Sequence, residues 1–222
     1  MKPPPPRCAG LFCAGLFLAA LLPLSAPAGP PVAVTEVLTA PSSEDGEDFW
    51  ELTNYGTNVV DLEELRFSDD SRLAAAHKLS ELAAAAGEPA GLLPGESLVF
   101  ARQARTIASP ADFRAWWGEE PLAGRRVIVA PWGFGLNAGQ DELQLWQVTA
   151  TATNLLDHVR LGAADPGVTF VSDPVTGVFG AASVAGVHGA FRVAAGRDVG
   201  SPGTAGGPVP LHYRGAVIKQ LG

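Results

Sequence analysis

Residues 49–54 have the sequence Phe-Trp-Glu-Leu-Thr-Asn, in which apolar and polar side chains alternate from Trp50 to Thr53. Successive side chains of a β-strand point to opposite faces of the sheet. We therefore expect Trp50 and Leu52 on one face and Phe49 and Glu51 on the other. The pattern predicts a strand.

Short segments of the same kind recur along the chain, divided by turn-forming residues, and predict further strands. The chain has 26 Gly and 19 Pro among 222 residues, which is unusual for a helical bundle. The sequence predicts an all-β sandwich or barrel. The predicted strands are Val32–Leu38, Leu65–Phe67, Ser97–Ala101, Val127–Val129, Glu142–Val148, Leu155–Leu161, Val168–Val171 and one within Val184–Arg197.

Two helical excursions are expected between these strands. The first extends from Ser71 to Ala86, where Ser71 is a suitable N-cap, alanines fill the interior and Gly87 can end the helix. The second begins after Ser109, has proline at its first position and continues to Trp117. In the strand Leu155–Leu161, alternation places the four residues of odd number on one face: Leu155, Asp157, Val159 and Leu161.

The first 28 residues have the features of a secretory signal peptide. Lys2 and Arg7 precede an uncharged apolar run from Cys8 to Leu24, and Ala26-Pro27-Ala28 supplies small residues for cleavage. The run is about 17 residues long, the lower limit for a membrane-spanning helix, so an uncleaved anchor is the alternative. After cleavage we expect no stable membrane insertion and a secreted, periplasmic or cell-envelope location.

Cleavage would remove Cys8 and Cys13, leaving a mature chain without thiols, disulfides or cysteine metal sites. It would also lower the number of basic residues from 15 to 13 against 23 acidic residues, so the net charge goes from −8 to −10. Such an acidic chain is a poor partner for nucleic acid or anionic lipid.

A series of short motifs resembles the lamin tail domains of bacteria. The match starts at Thr35–Leu38 (Thr-Glu-Val-Leu) and Phe49–Asn54, and it ends at Gly200–Gly203 (Gly-Ser-Pro-Gly). Between them, in the family's order, lie Val59–Leu62, Leu65–Asp69, Leu93–Val99, Leu136–Leu145 and Leu156–Val159. The chain departs from the family pattern in the long insert Ser71–Pro89, in the missing tryptophan near Glu64, and in the long stretch Thr169–Gly196.

The resemblance implies an immunoglobulin-like β-sandwich, spanning residues 32–203 and followed by a tail at 204–222. Bacterial members of the family commonly occur in exported proteins, beside nucleases, hydrolases or adhesion modules. Neither this setting nor the motifs give the chain an activity of its own. We therefore expect a non-catalytic binding or structural module that serves adhesion, scaffolding or envelope structure, without a cofactor.

Trp116, Trp117 and Trp132 are the candidate ligand-binding residues. Exposed aromatic side chains stack on sugars or anchor protein partners, so a protein or a polysaccharide is the expected partner. The alternative is that these rings fill the ends of the sandwich. Two other functions remain open: a carbohydrate-binding module that uses these tryptophans, and an accessory domain of a secreted hydrolase or nuclease system.

The acidic loop around residue 46 is a candidate calcium site, with Glu44, Asp45, Glu47 and Asp48 as possible oxygen ligands. Asp69 and Asp70 could contribute as well. The loop lacks the spacing of an EF-hand, and a solvated loop that aids solubility is the alternative. The histidines are scattered and give no support for zinc.

Glu36 and Glu51 each lie within a predicted strand. A carboxylate in such a position needs hydrogen-bonding partners. We expect these two side chains to bond to backbone groups or to cap a sheet edge, which is a structural task.

Overall fold

The computed structural model describes residues 1, 31–70, 72–133, 135–173, 178–193 and 196–204. Apart from Met1 and Thr204, the predicted signal peptide and the predicted tail lie outside the described residues. The helices are α1 (Leu79–Ala85) and α2 (Pro110–Trp117), with two 3-10 turns at Leu62–Glu64 and Leu73–Ala75. The strands are β1 (Val32–Leu38), β2 (Phe49–Asn54), β3 (Val60–Asp61), β4 (Leu65–Ser68), β5 (His77–Lys78), β6 (Gly91–Leu92), β7 (Ser97–Arg102), β8 (Val127–Ala130), β9 (Asp141–Val148), β10 (Thr153–Leu161), β11 (Phe170–Ser172), β12 (Phe179–Ala182), β13 (Phe191–Arg192) and β14 (Val199–Gly200).

The larger sheet has six strands in the order β12-β11-β1-β2-β7-β8. Its neighbours are antiparallel except β7 and β8, which run parallel with α2 in the connection between them. Parallel neighbours need such a crossover because the chain must return to the same end of the sheet. A second sheet has the order β10-β9-β4-β5, and two short pairs, β3-β6 and β13-β14, complete the described strands.

The main core lies between the two larger sheets. Trp50 of β2 is stacked on Phe100 of β7 with ring centroids 4.6 Å apart, and its ring lies 4.8 Å from that of Phe67 in β4. This tryptophan therefore joins the two layers. The alternation predicted for β2 is confirmed, since Trp50 and Leu52 belong to this core and Phe49 does not.

The opposite face of the six-stranded sheet carries a second apolar cluster, which α2 covers. Phe49 contacts Phe113 and Trp117 of α2 edge-on, with centroids 5.6 and 5.3 Å apart. Ser109 accepts a hydrogen bond from the amide of Asp112, so the predicted cap and the bounds of this helix are confirmed. The helix α2 covers only part of this face. Polar side chains and the C-terminal part of the chain occupy the rest.

The first predicted helix is wrong over most of its length. Only Leu79–Ala85 is α-helical, and it is preceded by a 3-10 turn and by β5, which pairs with β4. The helical segment begins after Lys78 without a side-chain cap and buries Leu79 and Leu82 against the main core. Pairing of the chain with a neighbouring strand overrides the helix preference of the alanines before it.

The predicted face of Leu155 is also wrong. Asp157, Val159 and Leu161 share a buried face, but Leu155 is 46% exposed and Leu156 packs against the core instead. The pairing register of β10 with β9 shifts between Leu155 and Asp157. Such a bulge inserts one residue and reverses the faces of the side chains beyond it.

The described part of the chain consists mostly of β-strands in several sheets, with two short α-helices. This confirms the predicted all-β class. Among the residues described, no helix is both long enough and apolar enough to cross a membrane.

Candidate functional site: two buried glutamates below a cavity

Glu36 and Glu51 lie directly opposite each other on adjacent central strands, β1 and β2. The register shifts between Val34 and Glu36, so Thr35 is an extra residue there, and its hydroxyl donates a hydrogen bond to Glu51. Glu36 is 1% exposed and Glu51 is fully buried. The prediction that they cap a sheet edge is wrong, because β1 and β2 are both central strands.

Glu36 accepts hydrogen bonds from two segments that lie far away in sequence. Its Oε1 accepts from the Thr169 hydroxyl at 2.6 Å and from the Ser201 amide at 2.7 Å. Its Oε2 accepts from the Ser201 hydroxyl at 3.0 Å. The predicted bonding to backbone groups is thus confirmed for this glutamate, and it fixes the closing segment 201–204 on the sheet.

Glu51 holds the same segment two residues further along. Its Oε2 accepts from the Gly203 amide at 2.6 Å, and its Oε1 accepts from the Thr35 hydroxyl at 2.5 Å. Thr35 continues into a row of hydroxyls through Thr53, at 2.9 Å, to Ser97, a further 2.7 Å away. Both glutamates therefore act as acceptors in one buried polar network.

The environment favours the neutral form of both acids. Burial raises the pKa of Glu36 above its ordinary value of 4.5, although the bonds from Thr169 and Ser201 oppose this shift. Burial, followed by the negative charge of Glu36, raises the pKa of Glu51 as well. Two carboxylates that face each other without a cation resist being ionised together.

A cavity of about 230 Å³ lies above the pair on the outer side of the sheet. Glu36 and Glu51 contribute to its floor, β11, β12 and the loop at 183–190 form its walls, and Thr204 lies at its edge. The glutamates were expected from the sequence to be structural, but nothing in the local pattern indicates the cavity. It forms only because segments from both ends of the chain meet over β1 and β2.

Asp157 supports the same region from the second sheet. Its Oδ2 accepts a hydrogen bond of 2.8 Å from the amide of Val34, next to the register shift in β1. Asp157 is 5% exposed. A buried carboxylate that binds a backbone amide at a bulge fixes the position of the extra residue, Thr35.

The three candidate tryptophans are separated in the structure. Trp117 is 2% exposed within the α2 cluster, and Trp132 is 7% exposed with its ring edge-on to Phe67. The prediction of an exposed recognition surface is wrong for these two residues. Aromatic and aliphatic neighbours enclose both rings, as the alternative of packing within the sandwich predicts. Trp116 is half-buried and lines a shallow depression together with Asp45 and Thr106.

Asp198 is a buried polar residue that sequence reasoning missed. It is fully buried, and its Oδ2 accepts from the indole N–H of Trp116 at 2.8 Å. Its Oδ1 accepts from the amide of Ser42, also at 2.8 Å. It ties α2 and the loop after β1 to the C-terminal part of the chain. A single aspartate in a Gly- and Ala-rich segment has no local signal for such a role.

The acidic loop does not gather its carboxylates around one point. Glu44 and Asp45 are exposed, whereas Glu47 binds the guanidinium of Arg102 at 2.8 Å. Asp48 is buried and accepts from the amide of Leu136 at 3.0 Å; burial raises its pKa to about 6. Within the part of the chain that the structure describes, no cluster of three or more His, Cys, Asp or Glu could hold a metal ion.

No protein-family model, curated protein or solved structure with which the chain was compared matches it.

Proposed function

We propose that this chain is an exported, non-catalytic binding or structural module built on an immunoglobulin-like sandwich of the lamin-tail type. The observation that carries the proposal is the contact between the first, second and last of the family-like motifs. Glu36 of Thr35–Leu38 and Glu51 of Phe49–Asn54 both bind the backbone of Gly200–Gly203. Side chains whose hydrogen bonds join distant parts of the same chain indicate that these motifs stabilise the fold.

Other polar residues of these motifs also have partners inside the chain. The side-chain amide of Asn54 donates to the carbonyls of Asn58 and Leu92, at 2.9 and 3.1 Å. Asp141, in Leu136–Leu145, accepts from the amide of Asn137 at 2.6 Å. These bonds close the turns next to β2 and β9, so they support a structural origin for the motifs.

The bonding of the glutamate pair favours a non-catalytic role. A general acid or base must reach the substrate's proton within hydrogen-bonding distance. All four carboxyl oxygens of Glu36 and Glu51 already accept hydrogen bonds, and the two residues are 1% and 0% exposed. A substrate would have to replace one of these hydrogen bonds before it exchanged a proton with either acid.

Affinity capture from the producing organism tests the proposal. A tagged chain is crosslinked mildly in living cells, the medium, envelope and cytoplasm are separated, and the N-terminal peptide is identified by mass spectrometry. We expect a chain that begins near residue 29, recovered from the envelope or medium with a reproducible protein or polysaccharide. The matched control is a Lys2→Glu, Arg7→Glu variant, whose altered N-terminal charge should retain the chain in the cytoplasm.

Recovery of the unaltered chain in the cytoplasm with residues 1–28 intact would contradict the export part of the proposal. Hydrolysis of a glycan, ester or phosphodiester panel by the purified chain, abolished by Glu51→Gln, would contradict its non-catalytic part.

Carbohydrate binding is a second candidate, and the position of Trp116 favours it. The half-buried ring lines an open depression together with Asp45 and Asp112. An aromatic face beside polar acceptors suits a sugar ring. Quenching of tryptophan fluorescence by a glycan, lost in Trp116→Phe, would support this candidate, and no response across a broad glycan panel would remove it.

A further inference from the structure

The cavity above the glutamate pair is bounded on one side by aliphatic side chains. Val171 and Ala181 lie opposite each other on β11 and β12, so their side chains share one face of the sheet. Val184, Val187 and Ala190, from the loop that follows β12, line the cavity as well. These five side chains form a wall without hydrogen-bonding groups.

The acids on the floor of the cavity are already engaged within the chain. All four carboxyl oxygens of Glu36 and Glu51 accept hydrogen bonds, and the pair favours its neutral form because burial raises the pKa of each acid. The hydroxyl of Ser183 is bonded to that of Thr169 at 2.7 Å, and Asp173 also has a partner within the chain. These groups therefore offer a ligand no free charge.

The volume of the cavity limits the size of its ligand. It measures about 230 Å³, below the usual range for a drug-sized molecule. An apolar cavity of about 150 Å³ in a protein holds benzene. The space above the glutamates therefore suits an aliphatic group of about four to six carbon atoms.

The rim of the cavity is apolar and open to solvent. Val184 is 59% exposed and Val187 is 44% exposed, and both belong to the lining. Water in contact with apolar side chains raises the free energy, and a cluster of exposed apolar side chains beside a concave site marks a binding region. An aliphatic ligand inside the cavity would shield both valines from water.

Hydrogen bonds hold the loop that carries these valines in a defined shape. The amide of Val187 donates to the carbonyl of Val184 at 3.0 Å, and the amide of Ala190 donates to the carbonyl of Val187 at 2.9 Å. The amide of Gly186 donates back to the carbonyl of Ala190 at 2.7 Å. A wall that is ordered before the ligand arrives lowers the entropy cost of binding.

We propose that this cavity binds an uncharged aliphatic group of about four to six carbon atoms, as in a short-chain alcohol or a leucine side chain. The proposal names the ligand chemistry of the binding module proposed above and rests on that function. The group lies between the aliphatic wall and the neutral floor and contacts Val184 and Val187 at the entrance. A charged group would lose hydration there without gaining an opposite charge, so the cavity selects against it.

The first experiment compares three ligands that share a four-carbon chain: 1-butanol, butylammonium and butyrate, each at pH 7. The purified chain is titrated with each ligand, and binding is followed by amide NMR. We expect saturable shifts confined to residues 171–172 and 181–190, with 1-butanol bound at least fivefold more tightly than either ion. Four carbons do not fill the cavity, so the charged end of the ions lies within it.

The length of the aliphatic chain gives a second readout. Each methylene that is buried contributes a similar free energy, which corresponds to about a fourfold gain in affinity. We expect gains of this size from 1-butanol to 1-pentanol and from 1-pentanol to 1-hexanol.

Polar substitutions at the rim give the matched variants. The double variant Val184→Asn, Val187→Asn removes the apolar entrance and should weaken binding of 1-hexanol at least fivefold. Val59→Asn makes the same change at a valine that is 58% exposed and does not line the cavity, and it should bind as the unaltered chain does. All three positions are at the surface, so both variants should fold, and their urea unfolding midpoints verify this.

Binding of either ion as tight as that of 1-butanol, equal affinity along the alcohol series, unchanged binding by the rim variant, or the absence of saturable shifts would overturn the inference. Comparison of Nα-acetyl-leucine methylamide with 3-methyl-1-butanol separates the two sources. Tighter binding of the leucine derivative points to a protein partner, and tighter binding of the alcohol points to a small molecule. If partner capture persists while alcohol binding fails, the inference falls and the proposed function stands.

Discussion

At the level of single residues, the unusual feature is a pair of glutamates on facing positions of central strands. Like charges directly opposite each other in a sheet are destabilising, and burial adds the loss of hydration. Hydrogen bonds from Thr35, Thr169, Ser201 and Gly203 offset part of that cost. Protonation reduces the remaining cost of burial, because the pKa of each acid is raised in the folded chain.

The raised pKa values set the direction of the pH dependence. Since the folded chain holds protons more tightly than the unfolded chain, the stabilisation is complete below pH 4.5 and is lost as pH rises through the folded pKa values. We expect the free energy of unfolding to fall between pH 5 and pH 8. Glu51→Gln removes one charge and should make this fall smaller. Urea unfolding at both pH values measures the difference.

The matched control for this prediction is Glu44→Gln, at an exposed position of the acidic loop, which should leave the slope unchanged. Asp48, with its pKa raised to about 6, contributes to the slope in every variant and cancels in the comparison. A Glu51→Gln variant whose stability falls as steeply as that of the unaltered chain would refute this account of the pair.

Trp116 provides a second test at the level of single residues. Its indole N–H donates to the buried Asp198, so Trp116→Phe leaves one carboxylate oxygen without that donor. Trp146→Phe is the matched control, since this side chain is half-buried and its buried indole N–H has no hydrogen-bond partner among the described residues. We expect Trp116→Phe to cost about 1–3 kcal/mol more than the control in urea unfolding. Equal losses would show that the bond to Asp198 contributes nothing.

At the level of elements, the sequence predicted both ends of α2 and the glycine that ends α1, but not the start of α1. Ser109 and Pro110 mark the start of α2 correctly, because capping depends on a few adjacent residues. Gly87 was correctly expected after α1: it has φ of 72°, and its amide and that of Glu88 bond to the carbonyls of Ala84 and Ala83. The length of α1 was wrong because β5 pairs with a strand that local sequence does not reveal.

Gly87 gives the prediction at this scale. Substitution to alanine meets no atom within 4 Å, so its cost comes from the left-handed backbone alone. We expect Gly87→Ala to lower the midpoint of thermal unfolding, with a loss of about 1 kcal/mol. Gly162 has equally open surroundings and no positive φ, so Gly162→Ala should be neutral or slightly stabilising. Equal effects of the two substitutions would contradict the assigned backbone conformation.

The β-bulges mark where strand prediction fails. Alternation placed Phe49, Trp50, Glu51 and Leu52 on the correct faces, because β2 pairs with β7 without a register shift and the extra residue in the pairing with β1, Thr35, belongs to β1. It misplaced Leu155, because an extra residue in β10 changes the face. Nothing in the local composition marks the extra residue. Its position depends on the partner strand.

At the level of the whole molecule, the fold is closed by contacts between positions far apart in the chain. The bond from Ser201 to Glu36 spans 165 residues and that from Gly203 to Glu51 spans 152. The sequence identified Glu36 and Glu51 as structural and the resemblance included Ser-Pro-Gly, but neither showed that they touch. The cavity depends on the same contacts, so it could not be predicted from any one segment.

Truncation tests the closing segment. A chain that ends at Gly200 lacks the Ser201 and Gly203 amides and leaves both buried acids with fewer donors, whereas a chain that ends at Thr204 keeps them. We expect the shorter chain to be less stable by at least about 2 kcal/mol. Chemical unfolding of the two truncated chains under the same conditions gives this difference, and equal stability would show that the segment is dispensable.

Hydrogen exchange of individual backbone amides, followed by NMR, tests the role of the glutamate pair most directly. If the buried acids hold the closing segment, the amides of Ser201 and Gly203 exchange as slowly as those of the central strand β2, and Glu36→Gln speeds exchange at Ser201 more than at Leu52. Exchange of both amides at the rate of the exposed loop residue Glu44 would contradict it, because the closing segment would then not be held by the buried acids.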